Sequence, residues 1–165
     1  MRCFQVKNQH GFTLIELIAI IIVLAIIAAV AIPRLGDVTS MKSGATAGKL
    51  KSDIRYAQEL AMTQNRRCRV YFNTSPAPAS GYAVVNDANG NGNWGEAGEF
   101  APDPTGKGDL TVTLNSGDYA GVTASSSVNP IEFNSLGRPT GGATTVTISP
   151  GGYTITIAAE TGAVN

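Results

Sequence analysis

The 165-residue chain is short of the residues that usually carry chemistry. It has one histidine, His10, and two cysteines, Cys3 and Cys68, which lie on opposite sides of a long apolar run. Two thiols so placed make no disulfide framework and offer no metal-ligand spacing. Charged residues are 15% of the chain, and the 12 Lys and Arg balance the 12 Asp and Glu. No basic surplus marks the chain as a nucleic-acid binder. What is abundant is distributed unevenly. The first fifth holds most of the long aliphatics, and the rest is rich in Gly, Thr, Ser and Asn, the composition of a turn-rich secreted β domain.

The leading ten residues, MRCFQVKNQH, carry Arg2 and Lys7 and no acid. Basic residues ahead of an apolar span keep that end in the cytoplasm. The uninterrupted run Leu17–Ile32 extends roughly 24 Å as helix, and adding Phe12–Ile15 brings it to bilayer-spanning length. Three readings compete: a secretory signal peptide with Ala29-Val30-Ala31 as its small-residue cleavage site, a plain anchor, and a helix that anchors first and later packs among copies of itself. Glu16 discriminates among them. A carboxylate at membrane depth costs about 3 kcal/mol on insertion scales and is normally paired, although a terminal position also lets it snorkel to the headgroups.

The stretch Gly11-Phe12-Thr13-Leu14-Ile15-Glu16, the short basic leader before it and Pro33 closing the apolar run resemble the N-terminus of type IV pilins and type II secretion pseudopilins. That resemblance implies cleavage after Gly11 by a prepilin peptidase and N-methylation of Phe12. It also implies that Glu16 neutralises the Phe12 amine of a neighbouring subunit in a filament, turning two costly charges into one pair. Loss of residues 1–11 removes Cys3, His10, Arg2 and Lys7, leaving ten Lys and Arg against twelve Asp and Glu. No Ser/His or Cys/His arrangement then survives, which excludes catalysis of that kind.

Beyond Pro33, read as a helix kink, Leu50, Ile54, Ala57 and Ala61 repeat at intervals of three and four. They predict an amphipathic continuation to about Asn65. Gly36, Gly44 and Gly48 mark 36–48 as poor helix, bent or partly unwound. From Arg69 the period becomes two. Strands are expected at Arg69–Phe72, Tyr82–Asn86, Leu110–Leu114, Ile131–Phe133, Thr145–Ser149 and Tyr153–Ala158, with a short one at Ala120–Ala124. Apolar/Thr alternation predicts a half-buried antiparallel sheet, and Ser149-Pro150-Gly151-Gly152 between two alternating runs predicts a hairpin. The expected class is α+β, a long N-terminal helix packed on a C-terminal antiparallel β domain. Its segments are a leader 1–11, an assembly helix 12–32, an amphipathic helix 33–66 and a periplasmic β domain 67–165.

LKSDIRYAQELAMTQNRRCRVYF, IEFNSLGRPTGG and the closing YTITIAAETGAVN resemble the GspH/FimT group of minor pseudopilins and minor pilins. The resemblance implies a structural subunit of a type II secretion pseudopilus, with other pseudopilins, prepilin peptidase and the inner membrane as partners. A FimT-like minor pilin in pilus assembly or DNA uptake is the alternative, and a major pilin the third reading.

Three local features carry further expectations. Asp87, Asn89, Asn91 and Asn93, with Gly92 at the sixth place of the run, resemble a calcium loop whose twelfth position is Gly98 instead of glutamate. An Asn-Gly hairpin loop needing positive φ accounts for the same residues without a cofactor. Arg66, Arg67 and Arg69, with Arg138 in the Leu-Gly-Arg-Pro turn, are the nucleic-acid candidates. Helix C-capping, where cations favour the dipole, is the competing role of the cluster. If Arg67 and Arg69 face solvent, alternation turns Cys68 inward as a small hydrophobe.

Overall fold

In the computed structural model the described residues are 12–34, 38–106 and 108–165, with the side chains of 30–34 excepted. The chain divides into two compact units, Met1–Asp37 and Val38–Asn165. The leader 1–11, with Gly11, Cys3 and His10, lies outside the described residues.

In the first unit, helix α1 spans Leu14–Arg34. It starts where the sequence offers Thr13-Leu14-Ile15-Glu16. Thr13 Oγ1 accepts the Glu16 N–H at 3.3 Å, and Thr13 O accepts the N–H groups of Glu16 and Leu17. This is half of a capping box, and it places an acidic side chain on the positive end of the helix. The described side chains from Phe12 to Ala29 are all exposed. A helix that is apolar all round is stable only when something else covers it. Among the described residues no helix is long and apolar enough to cross a membrane. Pro33, the expected kink, is the penultimate residue of α1, and the stretch 35–37 that follows lies outside the described residues.

In the second unit, helix α2 spans Val38–Thr63 and buries Ser43, Thr46, Leu50, Asp53, Ile54, Ala57, Leu60 and Ala61, one stripe at helical spacing. The expected weakness over 36–48 does not appear in the described part, since α2 is regular from Val38 onward. Ser43 and Thr46 return their hydroxyls to the carbonyls four residues back. Gly44 has a packing reason, because a Cβ there would meet the Tyr153 hydroxyl at 3.2 Å. The helix ends two residues earlier than expected. Asn65 takes φ 52° and the Arg66 N–H bonds Ala61 O at 3.1 Å, a Schellman-type stop.

The strands are β1 Cys68–Phe72, β2 Gly81–Asn86, β3 Thr111–Thr113, β4 Thr123–Ser126, β5 Ile131–Phe133, β6 Thr144–Ser149 and β7 Tyr153–Ile157. They form two antiparallel sheets, ordered β3-β2-β1-β5 and β4-β6-β7. The hairpin register pairs Ile148 with Tyr153, as the Pro-Gly-Gly turn predicts. β3 is shorter than expected because Leu110 and Leu114 bond Val84 and Ser80 outside the ladder. The buried stripe of α2 meets both sheets in one core containing Leu50, Ile54, Phe72, Tyr82, Phe133, Ile148 and Ile157. A smaller cluster, Tyr71, Ala77, Ala83 and Val85, has Trp94 and Phe100 of the β2–β3 connection packed against it on the other face of the four-stranded sheet.

Candidate functional site

Phe12 and Glu16 stand at the exposed start of α1. Glu16 shares one side of the helix with Ala19, Ile20, Val23 and Leu24, so a carboxylate heads an apolar strip. Among the described residues it forms no ion pair. The helix thus presents a charge and an exposed apolar surface.

The arginine cluster begins where α2 hands over to β1. Arg67 Nη2 donates to Asp87 Oδ2 at 2.7 Å, and a second nitrogen lies 4.0 Å from Glu132 Oε1. Arg69 Nε pairs with Glu132, its cross-strand neighbour in the β1–β5 register, and its Nη1 donates to the Tyr71 hydroxyl at 3.1 Å. Both guanidiniums lie over the Trp94 ring, at 5.4 Å for Arg67 and 4.0 Å for Arg69, a cation–π arrangement. Burial alone would lower the Arg69 pKa, but the Tyr71 and Glu132 bonds raise it. Burial likewise works against the Asp87 carboxylate, yet Arg67 and the N–H groups of Gly92 and Gly90 hold it below its ordinary value. Two of the three clustered cations are therefore paired with acids of the fold, Arg67 while still exposed and Arg69 half-buried. The Arg66 side chain donates to the Asp87 carbonyl, at 3.4 Å. Arg66 and Arg138 are exposed and form no ion pair among the described residues. Among the described residues no side chain of the cluster donates to an α2 carbonyl; Arg66 contributes its backbone N–H.

The candidate calcium residues form a knot around a different acid. Asn89 Oδ1 accepts the Asn91 N–H at 2.9 Å and Asn91 Oδ1 accepts the Asn93 N–H at 2.7 Å. Their oxygens thus already serve the backbone. The three side-chain amides converge on Glu96, with Nδ2 of Asn89, Asn91 and Asn93 at 2.8, 3.1 and 3.3 Å from its carboxylate. The Glu96 N–H in turn donates to Glu99 Oε2. Among the described residues no group of three or more His, Cys, Asp or Glu is arranged to hold a metal ion. Glu96, Glu132 and Trp94 are the residues that sequence reasoning left without roles. Glu96 and Trp94 lie within the loop window, while Glu132 joins the cluster only through the sheet.

Cys68 is fully buried, as alternation with Arg67 and Arg69 predicts. Burial pushes its thiol up to about 12, so it packs as a small apolar side chain and the reactive thiolate is suppressed.

A family model described as type II transport protein GspH matches residues 46–162, and one described as the prokaryotic N-terminal methylation motif matches residues 6–32. Among solved structures, the minor pseudopilin EpsH from the type 2 secretion system of Vibrio cholerae is similar at 15% identity with a TM-score of 0.55, covering 75% of this chain and 94% of that one. The type IV minor pilin FimU of Pseudomonas aeruginosa is similar at 18% identity with a TM-score of 0.47, covering 74% and 85%. The EpsH likeness extends to the fold alone: helices and antiparallel sheets in the pilin-like α+β arrangement.

Proposed function

We propose, since the chain belongs to the type II transport protein GspH family, that it is a minor pseudopilin of a type II secretion system. Members of that family are structural subunits of a pseudopilus, and the chain is not an enzyme. The observation that carries the finer reading is α1: an exposed apolar helix that starts just after Phe12, has Glu16 in its first turn and lies mostly within a matched N-terminal methylation motif. Such a surface needs lipid before assembly and other helices after it. On this reading prepilin peptidase cuts after Gly11 and methylates Phe12. The sequence from Phe12 to Ile32 crosses the inner membrane once, with Arg2 and Lys7 keeping the leader cytoplasmic, and residues 38–165 lie in the periplasm. Assembly draws the helix into a bundle in which the Phe12 amine meets Glu16 of a neighbour.

The test is deletion of the gene with two readouts, secreted protein and surface pili. Loss of secretion with pili retained supports the reading; loss of pili with secretion intact transfers the subunit to a type IV pilus. DNA uptake is separable by measuring salt-dependent DNA binding of residues 38–165 beside the Arg66→Ala/Arg67→Ala variant. With Arg67 committed to Asp87, only weak binding common to both is expected. Binding that falls steeply with salt and vanishes in the variant would establish the DNA role.

A further inference from the structure

Of all the asparagines in the chain, only Asn89 and Asn91 precede glycine. An Asn-Gly step offers the least hindered attack of a backbone nitrogen on a side-chain amide, because the attacking residue has no Cβ. Both asparagines and both glycines are exposed. Gly90 and Gly92 hold φ of 73° and 78°, and a Cβ at Gly90 would meet nothing within 4 Å. The same two amides supply two of the three donors on Glu96.

We propose that Asn89 and Asn91 are deamidation sites, that Glu96 restrains the reaction, and that the modification releases the 87–99 loop from the sheet it covers. The Gly90 nitrogen, its proton taken by solvent hydroxide, attacks Asn89 Cγ. The N–Cγ bond forms, the Cγ–Nδ2 bond breaks, and the nitrogen leaves as ammonia with a proton from water. Water then opens the cyclic imide at either carbonyl, giving aspartate or isoaspartate. Asn91 and Gly92 react alike, and neither oxidant nor reductant is needed.

The restraint lies in the hydrogen bonds. Asn89 is held at both ends, Nδ2 by Glu96 and Oδ1 by the Asn91 N–H, and Asn91 is held in the same way by Glu96 and Asn93. Reaching the attack geometry requires giving up a bond to a charged acceptor, which slows the folded chain about tenfold. Once an amide becomes a carboxylate, a donor facing Glu96 is replaced by a like charge at contact distance, and the knot opens. Trp94, beside the knot, packs on Tyr71, Ala77, Ala83 and Val85 and is the chain's only tryptophan. Its emission therefore reports how the loop packs on that face, where Arg67 and Arg69 lie over the ring.

The full chain is held at mildly alkaline pH and mapped by peptide mass for amide-to-acid conversion. Asn115 and Asn134, each followed by serine, are the internal references. Conversion is expected at Asn89 and Asn91 ahead of the references, about tenfold faster in Glu96→Ala and in urea than in the folded wild type. Asn91→Asp is expected to shift Trp94 emission at once to the value of aged wild type. Equal rates in wild type and Glu96→Ala, conversion no faster than at the references, or unchanged emission in Asn91→Asp would each overturn the proposal. Should Glu96→Ala fail to fold, Glu96→Gln, which keeps one acceptor oxygen without the charge, takes its place in the rate comparison.

Discussion

One tie between α2 and the four-stranded sheet rests on a single oxygen. Asp53, 6% exposed on the buried stripe of α2, accepts the Tyr82 hydroxyl of β2 at 2.6 Å and the Lys49 ammonium at 2.7 Å, both on Oδ2. Tyr82 is fully buried, and burial followed by Asp53 pushes its phenol well above the ordinary range. Tyr82→Phe removes a hydrogen bond to a charged acceptor while Asp53 keeps Lys49, a loss of about 1.5–3 kcal/mol. Asp53→Ala strands the hydroxyl in the core without an acceptor, about 1–3 kcal/mol, and frees Lys49 from a helical ion pair of about 0.3–0.5 kcal/mol. The double variant removes donor and acceptor together, so it should cost less than the sum of the two, with a coupling of about 1.5–2 kcal/mol. Urea unfolding of residues 38–165 for the four proteins in one buffer measures it. A domain holds about 5–15 kcal/mol in total, so each single variant should stay folded in water. Additivity within about 0.5 kcal/mol would refute the reasoning, because independent sites add to that tolerance.

Cys68 should contribute an alkaline limb to stability. Its thiol rises from the ordinary 9.0 to about 12 in the folded state, so the folded chain binds the extra proton above pH 9. That stability is complete below pH 9 and falls by about 1.4 kcal/mol per pH unit as pH climbs toward 12; Cys68→Ala should lower the slope of the limb in pH-dependent urea midpoints, most clearly between pH 9 and 10, below the range where Tyr82 adds a loss of the same sign. Asp87 acts with the opposite sign. Its carboxyl is held below the ordinary 3.8, so its stability is present above that pH and is lost as pH falls through the lower folded value, a loss that Asp87→Asn should abolish. Because Arg67 and Gly92 already take the Asp87 oxygens, millimolar calcium should shift thermal unfolding of wild type and Asp87→Asn equally. Stabilisation of wild type alone would establish the cation loop instead. Glu16→Gln should preserve processing after Gly11 but lower incorporation into filaments, as judged by fractionation and blotting. The amide retains a hydrogen-bonding side chain at the helix start without the charge, so normal incorporation would exclude the pairing role.

The parts of this molecule that were legible in the sequence are those whose partners sit one structural period away. The apolar run of α1, the stripe Leu50–Ile54–Ala57–Ala61 and the β6–β7 hairpin each announce themselves within a few residues. Even the helix stop after Thr63 has a local device, Asn65 in the left-handed region. The division of the strands into two sheets was not legible, because β5 lies against β1 across some sixty residues and alternation reports only which face is buried. Gly44 misled for a related reason. Its helical penalty is visible in sequence, whereas the Tyr153 ring that lies against it arrives from the far end of the chain. The arginine cluster shows the same limit in its charges. Read in a linear window, Arg66, Arg67 and Arg69 are three cations without an acid, a shape that suggests an anionic partner. Their acids are Asp87, 20 residues from Arg67, and Glu132, 63 residues from Arg69, with Trp94 drawn between them by the loop. Coulomb energy depends on distance in space, so a basic patch counted along the sequence is only an upper bound on the field the folded surface presents. In this chain the fold pairs two of the three clustered arginines with acids, and α1, whose described side chains are exposed and apolar apart from Glu16, carries the functional argument.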